Sequence, residues 1–109
     1  MWAKSFTKQY QGVSQKLIWE AWADVSNWPA WDDGLEYCDI QGPFAPGTSF
    51  ILKPKGGPKV KITLYDIKPQ AAFSDFCIFL GAKMYDIHEV TESNSTVQIK
   101  NSISMKGPL

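Results

Sequence analysis

The stretch VSQKLIWEAWADVSNWPAWDDGLEYCDIQGPFAPG, residues 13–47, decides how the rest of the chain is read. It holds Trp19, Trp22, Trp28 and Trp31, four of the five tryptophans. Each indole buries a large apolar area and wants a partner for its N–H when enclosed. Ser14 is placed to cap a helix, with Val13 and Ile18 as a hydrophobic staple across the cap. Ile18, Ala21, Trp22 and Val25 recur at helical spacing and form one apolar stripe, while Gln15, Lys16, Glu20 and Asp24 fall elsewhere. The pattern predicts an amphipathic helix over Ser14–Val25. Ser26-Asn27-Trp28-Pro29 ends it, because the residue before a proline is pushed out of the helical region. Pro29 suits the first position of a second, one-turn helix, which Asp32-Asp33-Gly34 closes.

Working outward, residues 2–10 alternate loosely and read as a strand that stops at Gln11-Gly12. Everything after Gly34 reads as strands: Leu35–Ile40, Thr48–Lys53, Lys59–Ile67, Phe73–Leu80, Lys83–Thr91 and Thr96–Met105. Gly- and Pro-rich loops or short turns separate them. Alternation puts Val60, Ile62 and Leu64 on one face, and Val97, Ile99, Ile103 and Met105 on another with Asn101 among them. Short links make the sheet antiparallel, and its apolar face needs a cover that two short helices supply only in part.

With 109 residues, the chain has room for one domain, 1–109, with a modest core. Eleven basic residues balance eleven acids, which speaks against nucleic acid or an anionic membrane surface as partner. All eleven are lysine, so no arginine fork is present for bidentate phosphate recognition. No targeting pattern opens the chain and no apolar run reaches membrane-spanning length, so no membrane insertion and a cytoplasmic location are expected. Cys38 and Cys77 are far apart and outside any C-x-x-C, and two reduced thiols are the default for such a protein.

The run W-E-A-W-A-D-V-S-N-W-P-A-W-D (19–32), Gly42-Pro43-Phe44 with Gly47-Thr48, Asp86-Ile87-His88-Glu89, and Ser104-Met105-Lys106-Gly107-Pro108-Leu109 together resemble the polyketide cyclase/dehydrase branch of the START-like (SRPBCC) superfamily. The resemblance implies an α+β helix-grip fold: a curved seven-stranded antiparallel sheet, two short N-terminal helices, and an apolar cavity. It also implies a long C-terminal helix that this chain, ending at Leu109, does not contain, so the domain is expected to be truncated there.

His88 is the only histidine and the first candidate for acid–base work, with Asp86 on the same strand face to orient it. A hydrogen-bonded structural histidine is the plainer reading. Asp32 could place a carboxylate at a cavity mouth, or simply form a solvated turn. One histidine and two scattered cysteines give no zinc-type spacing, so neither a metal nor a cofactor is expected. The Lys53–Lys59 loop lacks the Gly-Lys-Ser/Thr ending of a phosphate cradle. The ligand-lining set expected from the aromatics and their neighbours is Trp28, Trp31, Phe44, Phe50, Tyr65, Phe76, Met84, His88 and Met105.

The leading reading is therefore a module that binds a hydrophobic small molecule, lipid- or polyketide-like, in an aromatic cavity. A cyclase or dehydratase using His88 or Asp32 as base is the rival, to be recognised by polar groups converging inside the cavity. A third reading is an interaction protein. The uncovered sheet face makes a homo-oligomer expected.

Overall fold

In the computed structural model, residues 2–79 and 81–107 are described. Strand β1 (Trp2–Gln11) leads into helix α1 (Gln15–Ala23) and a 3-10 helix over Val25–Ala30. Six strands follow: β2 (Leu35–Ile40), β3 (Ser49–Pro54), β4 (Val60–Lys68), β5 (Ala72–Phe79), β6 (Ala82–Ser93) and β7 (Thr96–Lys106). All seven form one antiparallel sheet in the order β1-β7-β6-β5-β4-β3-β2. The sheet and the two short helices are those expected, and among the described residues no helix follows β7. No helix among the described residues is long and apolar enough to cross a membrane.

The helical segment is where the expectation needs correcting. Ser14 does cap α1, its hydroxyl accepting from the Leu17 N–H at 3.1 Å. The helix ends at Asp24, earlier than the stripe through Val25 suggested, and Pro29 lies inside the 3-10 helix rather than opening a new one. The reason is local hydrogen bonding and burial together. The Asp24 carboxylate accepts from the Asn27 side chain at 2.7 Å, and the Asp24 carbonyl accepts from the Asn27 N–H. This tighter path swings Trp28 inward, where its indole N–H donates to the Trp22 carbonyl at 3.1 Å. That carbonyl lies in the last turn of α1, among the groups that lack an intrahelical partner. Tertiary burial of one indole outweighs the backbone preference imposed by the following proline.

Two tight hairpins set the register of the central strands. Phe79 pairs with Ala82 across a two-residue connection containing Gly81, whose φ of 82° a side-chain-bearing residue rarely adopts. Ser93 pairs with Thr96 across Asn94-Ser95, both at positive φ, the geometry of a type I′ turn. Register then fixes the faces, because directly opposed residues point the same way. One face carries Phe73, Asp75 and Cys77 of β5, Met84, Asp86, His88 and Val90 of β6, and Val97, Ile99, Asn101, Ile103 and Met105 of β7. The helices lie on this face, and Trp22, Val25 and Trp28 pack there against Phe50, Leu64, Phe73 and Val90 as the core. Cys38 and Cys77 are both free thiols, on strands separated by β3 and β4.

Candidate functional site

The expected aromatic set divides into three groups. Trp28 (8% exposed) and Phe50 (2%) stand edge-to-face at 5.4 Å in the core, and Phe44 packs edge-on against both Trp19 and Phe73. These rings close on each other in the core. Trp31 is 54% exposed and leans on Trp28 at the rim. Tyr65 and Phe76 are the correction: both stand on the opposite face of the sheet, in contact with each other and with Tyr85. The bulge between Leu64 and Asp66 gives β4 one extra residue against β5, and Phe76 is out of phase with Phe73 and Asp75. Tyr65 thus stands apart from His88, while Phe76 reaches the edge of the sheet and lines, with Met84, a depression where β4 and β5 part. Met84 and Met105 do share its face, directly opposed across β6 and β7.

What the helical face does bring together is polar. His88 lies under the edge of Trp22 (ring centroids 5.9 Å) and stacks flat on Phe73 at 4.2 Å and 14°. These two contacts fix the plane of the imidazole. Its Nε2 sits 3.5 Å from Asp75 Oδ2 and 3.5 Å from Asp86 Oδ2. Asn101 is the register partner of His88 on β7, and its Oδ1 is buried with no hydrogen-bond partner, as is Oδ1 of Asp86. Burial pushes the Asp86 carboxyl up to about 6; the His88 ring pulls it down and the Asp75 carboxylate adds to the rise. The Cys77 thiol on the same face is also raised, by burial first and then by Asp75 and Asp86.

The pairing of His88 with Asp86 is as expected from alternation. Asp75 went unrecognised, although its side chain is only 10% exposed and completes the cluster. Its signal was present: a two-residue turn at Gly81 places Asp75 opposite Asp86 by counting alone. Asp32 is not part of the site. It is exposed, and its Oδ1 accepts from the Gly34 N–H at 2.9 Å in a local turn.

Two open depressions flank the cluster. A groove of about 450 Å³ runs between α1 and the β1–β7 wing, lined by Tyr10, Val13, Ile18, Trp22, Trp31 and Ile99. Trp22 belongs both to this groove and to the roof of His88. On the other side, β4 and β5 stop pairing after Thr63↔Phe76 and fork. A depression of about 620 Å³ at the fork is lined in part by Val60, Cys77 and Met84.

No family model matches the chain, and no curated protein matches it. Solved structures do. A START superfamily protein from Mycobacterium smegmatis superposes with a TM-score of 0.75 at 14% identity, over 98% of this chain and 79% of that one. The major latex-like protein 151 of Panax ginseng gives 0.77 at 14% identity, over 95% and 79%. DynU16, from the dynemicin biosynthetic locus, gives 0.77 at 16% identity, over 98% of this chain and 38% of that one. With the seven-stranded order and the helices on one face, the chain has the START-like fold.

Proposed function

We propose that the protein binds a hydrophobic small molecule on the helical face of its sheet, with a polar end of the ligand held at Asp75, Asp86, His88 and Asn101. One observation carries this reading: four polar side chains converge on three adjacent strands of an otherwise apolar face, and two of their oxygens lack any partner. Buried polar groups are normally satisfied, and an orphaned acceptor costs about 1–3 kcal/mol. A ligand that donates hydrogen bonds there while filling the flanking groove would repay that cost. The apolar groove beside Trp22 suits a lipid- or polyketide-like body. Native mass spectrometry of the protein purified from its host tests it. A retained apolar molecule is expected, and its retention should fall when Ile99→Glu places a charge in the groove. Absence of any retained ligand, together with no uptake of a hydrophobic dye, would sink the reading.

A second reading is favoured by one specific fact. Burial raises the Asp86 carboxyl to about 6, and an imidazole nitrogen lies 3.5 Å from it, which suits Asp86 to act as an acid. The same cavity would then act as a cyclase or dehydratase, Asp86 and His88 moving the proton. Turnover that is lost in His88→Gln while ligand retention persists would select this reading over simple binding.

A further inference from the structure

The contact between His88 and its two carboxylates is not a hydrogen-bond arrangement. At 3.5 Å, both separations exceed the 2.7–3.2 Å range of N–H···O bonds, and one ring N–H cannot serve two acceptors equally. Among the described residues no lysine pairs with Asp75 or Asp86; His88 is their one ionic neighbour. One donor atom of each residue, Asp75, Asp86 and His88, lies within 4.8 Å of the others. The Asp75 side chain is nine-tenths buried and aims its Oδ2 into this space. Oδ1 of Asp86 and of Asn101 are fully enclosed and unpartnered beside it. Three negative or lone-pair ends thus face one point, with nothing positive among them when the ring is neutral.

We infer that Asp75, Asp86 and His88 bind a divalent metal ion of the zinc class, in a four-coordinate site whose open position faces the ligand groove. At metal–ligand distances of about 2.0–2.2 Å, the corners of a tetrahedron lie about 3.3–3.6 Å apart, whereas octahedral neighbours lie about 3.0 Å apart. The two separations of 3.5 Å from Nε2 fall in the first range, and the third, between the carboxylates, lies within 4.8 Å. The imidazole nitrogen in the set favours zinc or cobalt over magnesium and calcium, whose shells are usually oxygen alone. The ion lies between the two carboxylates and offsets the repulsion that their approach creates. His88 binds through Nε2 as the neutral ring, its plane already set by Phe73. Oδ1 of Asn101 accepts a hydrogen bond from a water in the fourth position. Three protein ligands and one exchangeable position are the composition of a reactive zinc site rather than a purely structural one. The inference goes beyond the ligand reading and does not depend on it, because the metal alone is the probe.

The test is calorimetric titration of the whole chain, stripped with EDTA, with zinc chloride and separately with cobalt chloride, alongside thermal melts. One ion per chain and a raised melting temperature are expected, with the visible absorption of four-coordinate cobalt. His88→Ala and Asp75→Asn should each weaken binding by more than about tenfold. Circular dichroism reports whether each variant folds. Asp86→Asn, nearly isosteric and relieved of charge repulsion, keeps the test decisive should Asp75→Asn unfold. No binding up to about 1 mM zinc, or binding unchanged in His88→Ala and Asp86→Asn, overturns the inference. Six-coordinate cobalt spectra would overturn the geometry assigned here. Dye and ligand retention are measured without metal, so either reading can fail alone.

Discussion

The two wings of the helical face belong to one sheet and meet different fates. Over β3, β4 and β5, Phe50, Leu64 and Phe73 are at most 2% exposed beneath Trp22, Trp28 and Phe44. Over β1 and β7, Phe6 and Tyr10 are 49% and 42% exposed, and Ile103 and Met105 are only half-buried. Part of the difference lies in β1, whose register puts Lys4 and Lys8 on this face beside Phe6 and Tyr10; the rest lies in the cover. Helix α1, with nine residues, is about 14 Å long, while a strand of twelve such as β6 runs about 40 Å. The cover ends before the sheet does. Alternation creates a face that can be buried, and only a partner of sufficient reach buries it. The polar cluster sits at the boundary of the two wings, roofed on one side by Trp22 and open on the other.

The sharpest way to break this contrast is at its shared roof. Trp22 is 8% exposed and packs edge-on against Trp19, Phe73 and His88. Trp22→Ala should cost about 3–5 kcal/mol, as for other large aromatic truncations in a core. Chemical denaturation that shows a loss below about 1 kcal/mol would mean that the covered wing is not held by α1.

Asp86 gives the next largest effect and tests the boundary. Its folded pKa of about 6 lies above the ordinary carboxyl value, so the folded state holds the proton more tightly than the unfolded chain. The resulting stability is fully present below the unfolded pKa and is lost as pH rises through about 6. In metal-free protein, Asp86→Asn should remove that slope. The variant should match the wild type near pH 4 and exceed it by about 1–3 kcal/mol at pH 7, discounted for the partial exposure of the side chain. Parallel pH-stability curves would show that the carboxyl is as well solvated as one on the open wing.

Within the covered wing, Trp28→Phe keeps an aromatic ring but removes the N–H bonded to the Trp22 carbonyl along with part of the indole's volume. A loss of about 1–3 kcal/mol is expected, from the unpaired acceptor and the small void together. Thermal melts of Trp28→Phe beside Trp22→Ala compare a partial with a complete loss of indole packing in the same seam.

How much of this was legible beforehand follows from the range of the forces involved. The strands, the cap at Ser14 and the pairing of Asp86 with His88 on one face are local, set by spacing along the chain. The 3-10 path through Pro29 was not legible, because it is decided by where the Trp28 indole finds an acceptor six residues back. Tyr65 and Phe76 were grouped with the site by type rather than by face, and a single bulge residue decides that face for Tyr65. Asp75 was the opposite case. Its place opposite Asp86 follows from counting back across the turn at Gly81, and only the acid's position between Phe73 and Cys77 concealed its role.

The smallest expected effect lies on the open wing, and it is the most informative about what covers that wing. Phe6 is the register partner of Asn101, in the same row as His88, yet its ring is half in water and the Lys4 ammonium lies 5.2 Å from its centroid. Truncating a side chain that is already half solvated forfeits little transfer free energy and leaves no enclosed void. Phe6→Ala should therefore change the stability of the isolated chain by no more than about 0.5 kcal/mol. The expected homo-oligomer makes a different demand of the same residue. If a second copy covers β1 and β7, Phe6 and Tyr10 become buried in the assembly, and truncating Phe6 weakens association by far more than it alters dilute-solution stability. Sedimentation equilibrium across a range of concentrations, run beside denaturation at the lowest one, reads both quantities. A shift in association with unchanged monomer stability assigns the open wing to a partner copy. No concentration dependence in either protein leaves the wing solvated, and the contrast between the two halves is then a property of the single chain.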